Sequence, residues 1–377
     1  MSPRNFVILA GATAVSLVLA IGAVVSRDVP VTAQPAATAF LPGLIDRVNE
    51  VRTVRITGPD ARTITVVADE KGWKLQEKGG YPVKAEEVRK LVLGLAGLQL
   101  VEAKTAQSDR LKRLELEDPA GGKDAKSRAV ELLDKDGKPV AAAVVGKSKP
   151  GLYGSGRSGV YVRRAGEPQA WLAAGSLQLP GDGLDLVERE VIDLPMGKIA
   201  RVTLGVDSPN PIRIHRPDTD TLPYTVEATA PEGREIDRDK VEQVAGSLGL
   251  LTLQDVKPAA ELALPPNARH SRYETFDGLA VDVTEARIGE GDAAERWVTL
   301  AVSALDPAAA PPPAVAPAGT EAKPAGDAAK PAEKPAAERA AELDARVHGW
   351  AYKVSPYVGD RLGADLDALL ADKQGSS

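Results

Sequence analysis

The chain has 377 residues, 43% of them hydrophobic and 27% charged, with a net charge of −6 and no cysteine. That length accommodates two domains, each able to bury its own core. The acidic balance argues against a nucleic-acid role, and the lack of thiols excludes disulfides, thiolate metal sites, a cysteine nucleophile and a lipidated N-terminal cysteine.

Phe6 to Val25 is a run of 20 residues without a charge, close to the length that crosses a hydrocarbon core as a helix. Arg4 and the amino terminus precede it, and Arg27 and Asp28 cancel after it. The positive-inside rule then keeps the N-terminus cytoplasmic and exports the remainder, which makes residues 1–26 a transmembrane anchor. A signal peptide cleaved after Val31-Thr32-Ala33 is the competing reading. The length of the apolar run and the charged pair ahead of that site favour the anchor. Residues 27–46 carry Pro30, Pro35 and Pro42 among small residues and read as a spacer.

Beyond the spacer, Val51 to Ile56 and Thr63 to Val67 alternate like half-buried strands around a Gly58-Pro59-Asp60 turn, and Trp73 to Leu75 is another short strand. A helix is predicted from Ala85, with Glu86 and Glu87 in its first turn, where the helix dipole favours acids. Its stripe of Val88, Leu91, Val92, Leu95 and Leu98 marks one buried face. This element is written twice. Val83 to Lys104 overlays Ile236 to Lys257 without a gap at a spacing of 153 residues, with identities at Val88/Val241, Leu95/Leu248, Leu98/Leu251, Leu100/Leu253 and Lys104/Lys257.

The downstream parts correspond as well. Leu114 to Pro119 resembles Leu262 to Asn267. The hairpin pattern of Ala129–Leu133 and Val140–Gly146 matches Arg272–Phe276 and Leu279–Gly289. Val160–Arg163 with Ala170–Ala173 matches Trp297–Val302 with Trp350–Val354, so Trp171 and Trp350 fall in corresponding strands. The expected fold class is therefore α+β: a tandem duplication of a mostly antiparallel sheet packed with one amphipathic helix, behind the N-terminal transmembrane helix. The first unit spans 47–190 and the second 191–377. Ala, Pro, Lys and Glu dominate residues 306–341, which read as a disordered or extended insertion at a hairpin tip. An interdomain linker with an independent tail is the other reading of that stretch.

No motif announces a reaction. Gly154-Ser-Gly156-Arg-Ser-Gly159 fits G-x-G-x-x-G, but a β-branched strand follows where a dinucleotide site needs a helix. His215, His270 and His348 match no metal-ligand spacing, and no nucleophile motif occurs. Glu115, Glu117 and Asp118 read as a solvated loop. Trp73, Tyr81 and Trp171 read as core or as the seal between helix and sheet. No cofactor and no catalytic residue are assigned. One charge pattern stands out: Lys147, Lys149, Arg157, Arg163 and Arg164 occur within Gly146–Arg164 without an acid, whereas the matching stretch carries Glu290, Asp292 and Glu295. These five form a candidate interaction patch for anionic lipid, a glycan or an acidic partner; a solvated loop without a partner is the bland alternative.

Val51-Arg-Thr-Val-Arg-Ile56, Gly72-Trp-Lys-Leu75, Tyr81-Pro82 before the helix, Val144-Val-Gly-Lys147 and Val160-Tyr-Val-Arg163 together resemble the bacterial DUF4340 family, membrane-anchored envelope proteins of unknown function. The resemblance spans residues 47–300 and is weaker in the second copy; the Ala/Pro insertion departs from the usual pattern. It implies a single-pass inner-membrane protein with its bulk in the periplasm, and ABC-transporter or gliding-motility-type envelope partners. The expected function is a noncatalytic accessory or scaffold protein. The alternative is a binding module for a small molecule, lipid or glycan in a cleft between the repeats.

Overall fold

The computed structural model describes residues 38–119, 125–152, 157–306 and 334–372. The predicted anchor and its cleavage alternative lie outside the described residues, as does most of the insertion. Among the described residues no helix is long and apolar enough to cross a membrane.

In chain order the first half runs α1 (Leu44–Arg47), β1 (Thr53–Thr57), β2 (Thr63–Asp69), β3 (Gly72–Leu75), β4 (Tyr81–Val83), α2 (Ala85–Ala96), β5 (Gln99–Thr105), α3 (Ser108–Leu111), β6 (Arg128–Leu133), β7 (Pro139–Leu152), β8 (Arg157–Arg164) and β9 (Ala170–Ala174). The second half runs β10 (Glu190–Ile192), β11 (Ile199–Leu204), β12 (Ile212–His215), β13 (Thr225–Glu227), α4 (Arg238–Ala245), β14 (Leu251–Thr252), β15 (Asp255–Pro258), β16 (Arg269–Thr275), β17 (Leu279–Ile288), β18 (Glu295–Ala304), α5 (Ala336–Val347), β19 (Trp350–Val354), α6 (Pro356–Leu362) and α7 (Leu366–Leu369). The protein thus mixes helices with large antiparallel sheets.

The described residues form two compact bodies, one from 38–63 with those of 89–179, the other from 64–88 with those of 180–372. The β2–β4 ribbon groups with the second half of the chain. Its partners explain why. Tyr81 meets Trp350 edge-on with ring centroids 4.9 Å apart, Lys78 pairs with Asp255 at 2.5 Å, and the Lys84 amide donates to the Leu186 carbonyl at 2.9 Å. Tyr81 thus packs against residues far along the sequence.

Within the first body the strands lie in the order β1-β6-β7-β8-β9-β5, and within the second in the order β13-β12-β11-β16-β17-β18-β19-β15. Adding ten to each first-body number reproduces the six-strand run β11-β16-β17-β18-β19-β15. The correspondence extends to register. Val162 faces Trp171 as Val298 faces Tyr352, and Ala103 faces Trp171 as Val256 faces Tyr352. Trp171 therefore matches Tyr352. Trp350 lies in the corresponding strand but two positions earlier, opposite Pro258.

Both predicted helices form where their stripes place them. Val88, Leu91, Val92 and Leu95 of α2 are buried, as are Val241, Val244 and Ala245 of α4. Each Val or Leu removed from water contributes about 1.5–3 kcal/mol. Asp237 caps α4 by accepting from the amides of Asp239 and Lys240. One expectation changes: α5 begins at Ala336, inside the stretch read as disordered. Its Ala, Glu and Arg residues favour helix, and tertiary burial of Ala340 and Val347, with Arg339 donating to Asp277 at 2.7 Å, supplies the fixing that composition alone lacks. Strands β18 and β19 pair directly, so residues 305–349 connect neighbouring strands.

Candidate functional site

The β7–β8 hairpin of the first body carries the predicted patch, and packing divides it. Residues that oppose one another directly across a sheet share a face. Lys149 opposes Gly159, which puts it on the face of Tyr161 and Arg163. Lys147 holds its Nζ 5.9 Å from the Tyr161 ring centre. Arg163 is half-buried and donates to the carbonyls of Glu167 at 3.1 Å and Leu116 at 3.4 Å. Arg164 belongs to the opposite face, where its Nε donates to the Phe40 carbonyl at 2.8 Å and its guanidinium lies over the Phe40 ring. Both arginines fasten the fold. Arg157 begins β8 at a position opposite Leu152. Lys147 and Lys149 remain exposed.

The same face receives a segment that sequence reasoning missed. Leu111 and Leu116, with Leu114, pack on Val144, Ala170 and Tyr161. Gly146 makes this approach possible: a Cβ there would collide with the carbonyls of Leu114 and Glu115. The segment's outward residues Arg110, Lys112 and Arg113 are exposed. With Lys147 and Lys149 they form a platform of five basic side chains, none ion-paired among the described residues, beside the acids Asp109 and Glu115. The available signal was the leucine spacing of Leu111 and Leu114 within a basic turn, which requires the turn to lie on a sheet.

The second body has the same framework without the basic turn. Trp297 occupies the position of Tyr161 and Ala351 that of Ala170, and Leu262 packs against both. The covering turn there is Ala259-Ala260-Glu261. Lys257 lies 4.3 Å over the Trp297 ring, and Glu295 is held by Lys353 at 2.6 Å. Those bonds hold the Glu295 carboxyl below its ordinary range, the Lys353 hydrogen bond most of all.

The remaining candidates are tied into the structure. Gly159 lies within β8, so the glycine motif opens no helix. Glu117 accepts from the Lys126 amide at 3.1 Å. His270 sits between Thr284 at 3.1 Å and Asp207 at 3.7 Å; His215 pairs with Glu227 and His348 with Asp344, both at 3.6 Å. Among the described residues no group of three or more His, Asp or Glu gathers to hold a metal. The buried Arg216 donates to four carbonyls, those of Ile199, Thr219, Met196 and Gly197, between the rings of Tyr224 and Phe276. Arg296, also buried, donates to Asp360 at 2.6 Å and lies 3.9 Å from Glu285. Burial pushes the Glu285 carboxyl above its ordinary range, and Arg296 offsets only part of that rise. A cavity of about 1050 Å³ lies within the second body, between Gly205–Ile212 and Leu362–Leu366, with Arg213, Arg269 and His270 on its wall.

The leucine-covered face of the first body falls inside residues 73–267, which match the family described as Domain of unknown function (DUF4340). This is just over half of the chain. The chain belongs to this family. The match covers β3 through α4 and the start of the second sheet, and the basic platform of this DUF4340 protein lies entirely within it. No curated protein and no solved structure matches the chain.

Proposed function

We propose that this DUF4340 protein is a noncatalytic accessory or scaffold protein of the bacterial envelope. Its N-terminal segment anchors it in the inner membrane, its bulk lies in the periplasm, and it serves a transport or assembly complex of the ABC-transporter or gliding-motility type. The observation that carries this reading is where the reactive side chains are used. Arg216 closes on four backbone carbonyls, Arg296 on a carboxylate pair, and Arg339 on Asp277. Each histidine faces a neighbouring acid. Such groups stabilise a body; a catalytic centre needs them converging on a space a substrate can enter. Purification of the native protein from detergent-solubilised membranes tests the reading: co-purification of an envelope transport or assembly component at fixed stoichiometry is expected, and recovery of the protein alone after in-membrane crosslinking argues against it.

A second reading, a periplasmic binding module for a small molecule, lipid or glycan, is favoured by the cavity inside the second body. A melting-temperature rise with a soluble envelope metabolite, abolished by substitution of Arg269, would support it over the scaffold.

A further inference from the structure

We propose that the basic platform of the first body docks on anionic phospholipid of the membrane that holds the chain's N-terminal segment. The proposal rests on the anchored reading above and adds the partner of one surface.

The platform has the form such a surface requires. Arg110, Lys112, Arg113, Lys147 and Lys149 project from a turn and a hairpin packed into one face. The leucines of the turn point inward, so contact with the bilayer is electrostatic and no apolar wedge enters it. Basic side chains held within a Debye length of a bilayer rich in anionic headgroups are attracted to it, each contributing about fivefold in partitioning. A lipid surface asks for charge density without residue-specific geometry, and these unpaired side chains provide that. The corresponding turn of the second body, Ala259-Ala260-Glu261, has no basic residue, so the contact orients one body.

Chain geometry brings the platform within reach. The amide of Leu100 donates to the Thr38 carbonyl and that of Phe40 to Leu98, both at 2.8 Å, which staples the chain at Ala39 to the edge of β5. Following the register, Ala39 faces Gln99, Gln99 faces Ala174, Ala174 faces Gly159 and Gly159 faces Lys149. Four strand spacings put Lys149 about 19 Å from Ala39. The twelve residues from Ser26 to Ala37 span at most about 40 Å. The tether is longer than the distance it has to serve.

The absence of cysteine makes Ser108→Cys, at the exposed start of the basic turn, a unique labelling position. The full chain, labelled there with a fluorophore, is reconstituted into vesicles of phosphatidylcholine alone or with phosphatidylglycerol, each carrying a headgroup quencher. Quenching is expected in the phosphatidylglycerol vesicles only. It should fall at high salt and drop about tenfold or more in R110Q/K112Q/R113Q/K147Q/K149Q, which still floats with both vesicles. Equal quenching in the two lipids, or quenching retained by the fivefold variant, overturns the docking while leaving the anchor intact. A chain that floats with neither vesicle overturns both. Binding of an acidic soluble protein with no lipid response assigns the surface to a protein and also overturns the proposal.

Discussion

The two bodies use one strand order and part company at two buried positions. In the first, Val145 and Val160 fill the space between β7 and β8 and are 5% and 2% exposed. In the second, register places Glu285 and Arg296 there, each 6% exposed, covered by α6 with Asp360. Gly359 and Gly363 let that helix close: a Cβ at either would strike Arg296 or Glu285. The same fold is thus completed once by dispersion and once by charge. Buried ion pairs rarely add net stability over apolar residues. What the charged version adds is specification, because Arg296 accepts only a helix that delivers a carboxylate to it.

The largest expected effect comes from breaking that pair. Arg296→Leu leaves Glu285 buried without compensation and should lower unfolding free energy by about 3–5 kcal/mol, read from urea denaturation. Installing the first body's residues at both positions, E285V/R296V, should recover most of the loss; a double variant as unstable as the single one would mean that the bodies differ in more than these side chains. Next, Gly146→Ala transplants the second body's Ala286 into the first. It should cost about 1–3 kcal/mol through overpacking and make residues 108–116 protease-sensitive, because the covering turn approaches its sheet more closely in the first body.

A smaller effect is pH-dependent. The raised Glu285 pKa means that the folded state holds the proton longer than the unfolded state, whose value is near 4.5. Stability from this group is therefore present in acid and lost as pH rises through the folded pKa. Glu285→Gln should flatten that slope just above pH 4.5 in a stability-against-pH titration. The smallest effect is expected at the surface: R110Q/K112Q/R113Q/K147Q/K149Q should leave unfolding free energy within about 0.5 kcal/mol.

Much of each sheet was legible because alternation and the helix stripe are local signals. The hairpins β6–β7 and β16–β17, the pairs β8–β9 and β18–β19, and both amphipathic helices lie where their periodicity predicts. Three features depend on contacts between distant residues and were not legible. Tyr81 sits in a local pattern that fits its own repeat, yet its ring packs on Trp350. Trp171 aligns with Trp350 by residue type, while register aligns it with Tyr352. Arg163 and Arg164 read as free charge, but their guanidinium groups reach carbonyls 47 and 124 residues away. The start of α5 escaped because Ala-rich sequence signals helix or disorder equally until Ala340 and Val347 find a surface to cover.

The placement of β19 bears on how the protein is made. This strand, near the end of the chain, lies between β18 and β15, so until Trp350–Val354 has emerged those two strands face an empty slot with their backbone groups unpaired. Such edges recruit foreign strands. The second body therefore cannot complete its sheet until β19 has been made, and a chain lacking Trp350–Val354 would carry the open slot permanently. The first body meets no such delay, since β9 is made before any of the strands β10 to β19. A partly synthesised chain thus holds a finished basic platform while its other half still awaits its last strand.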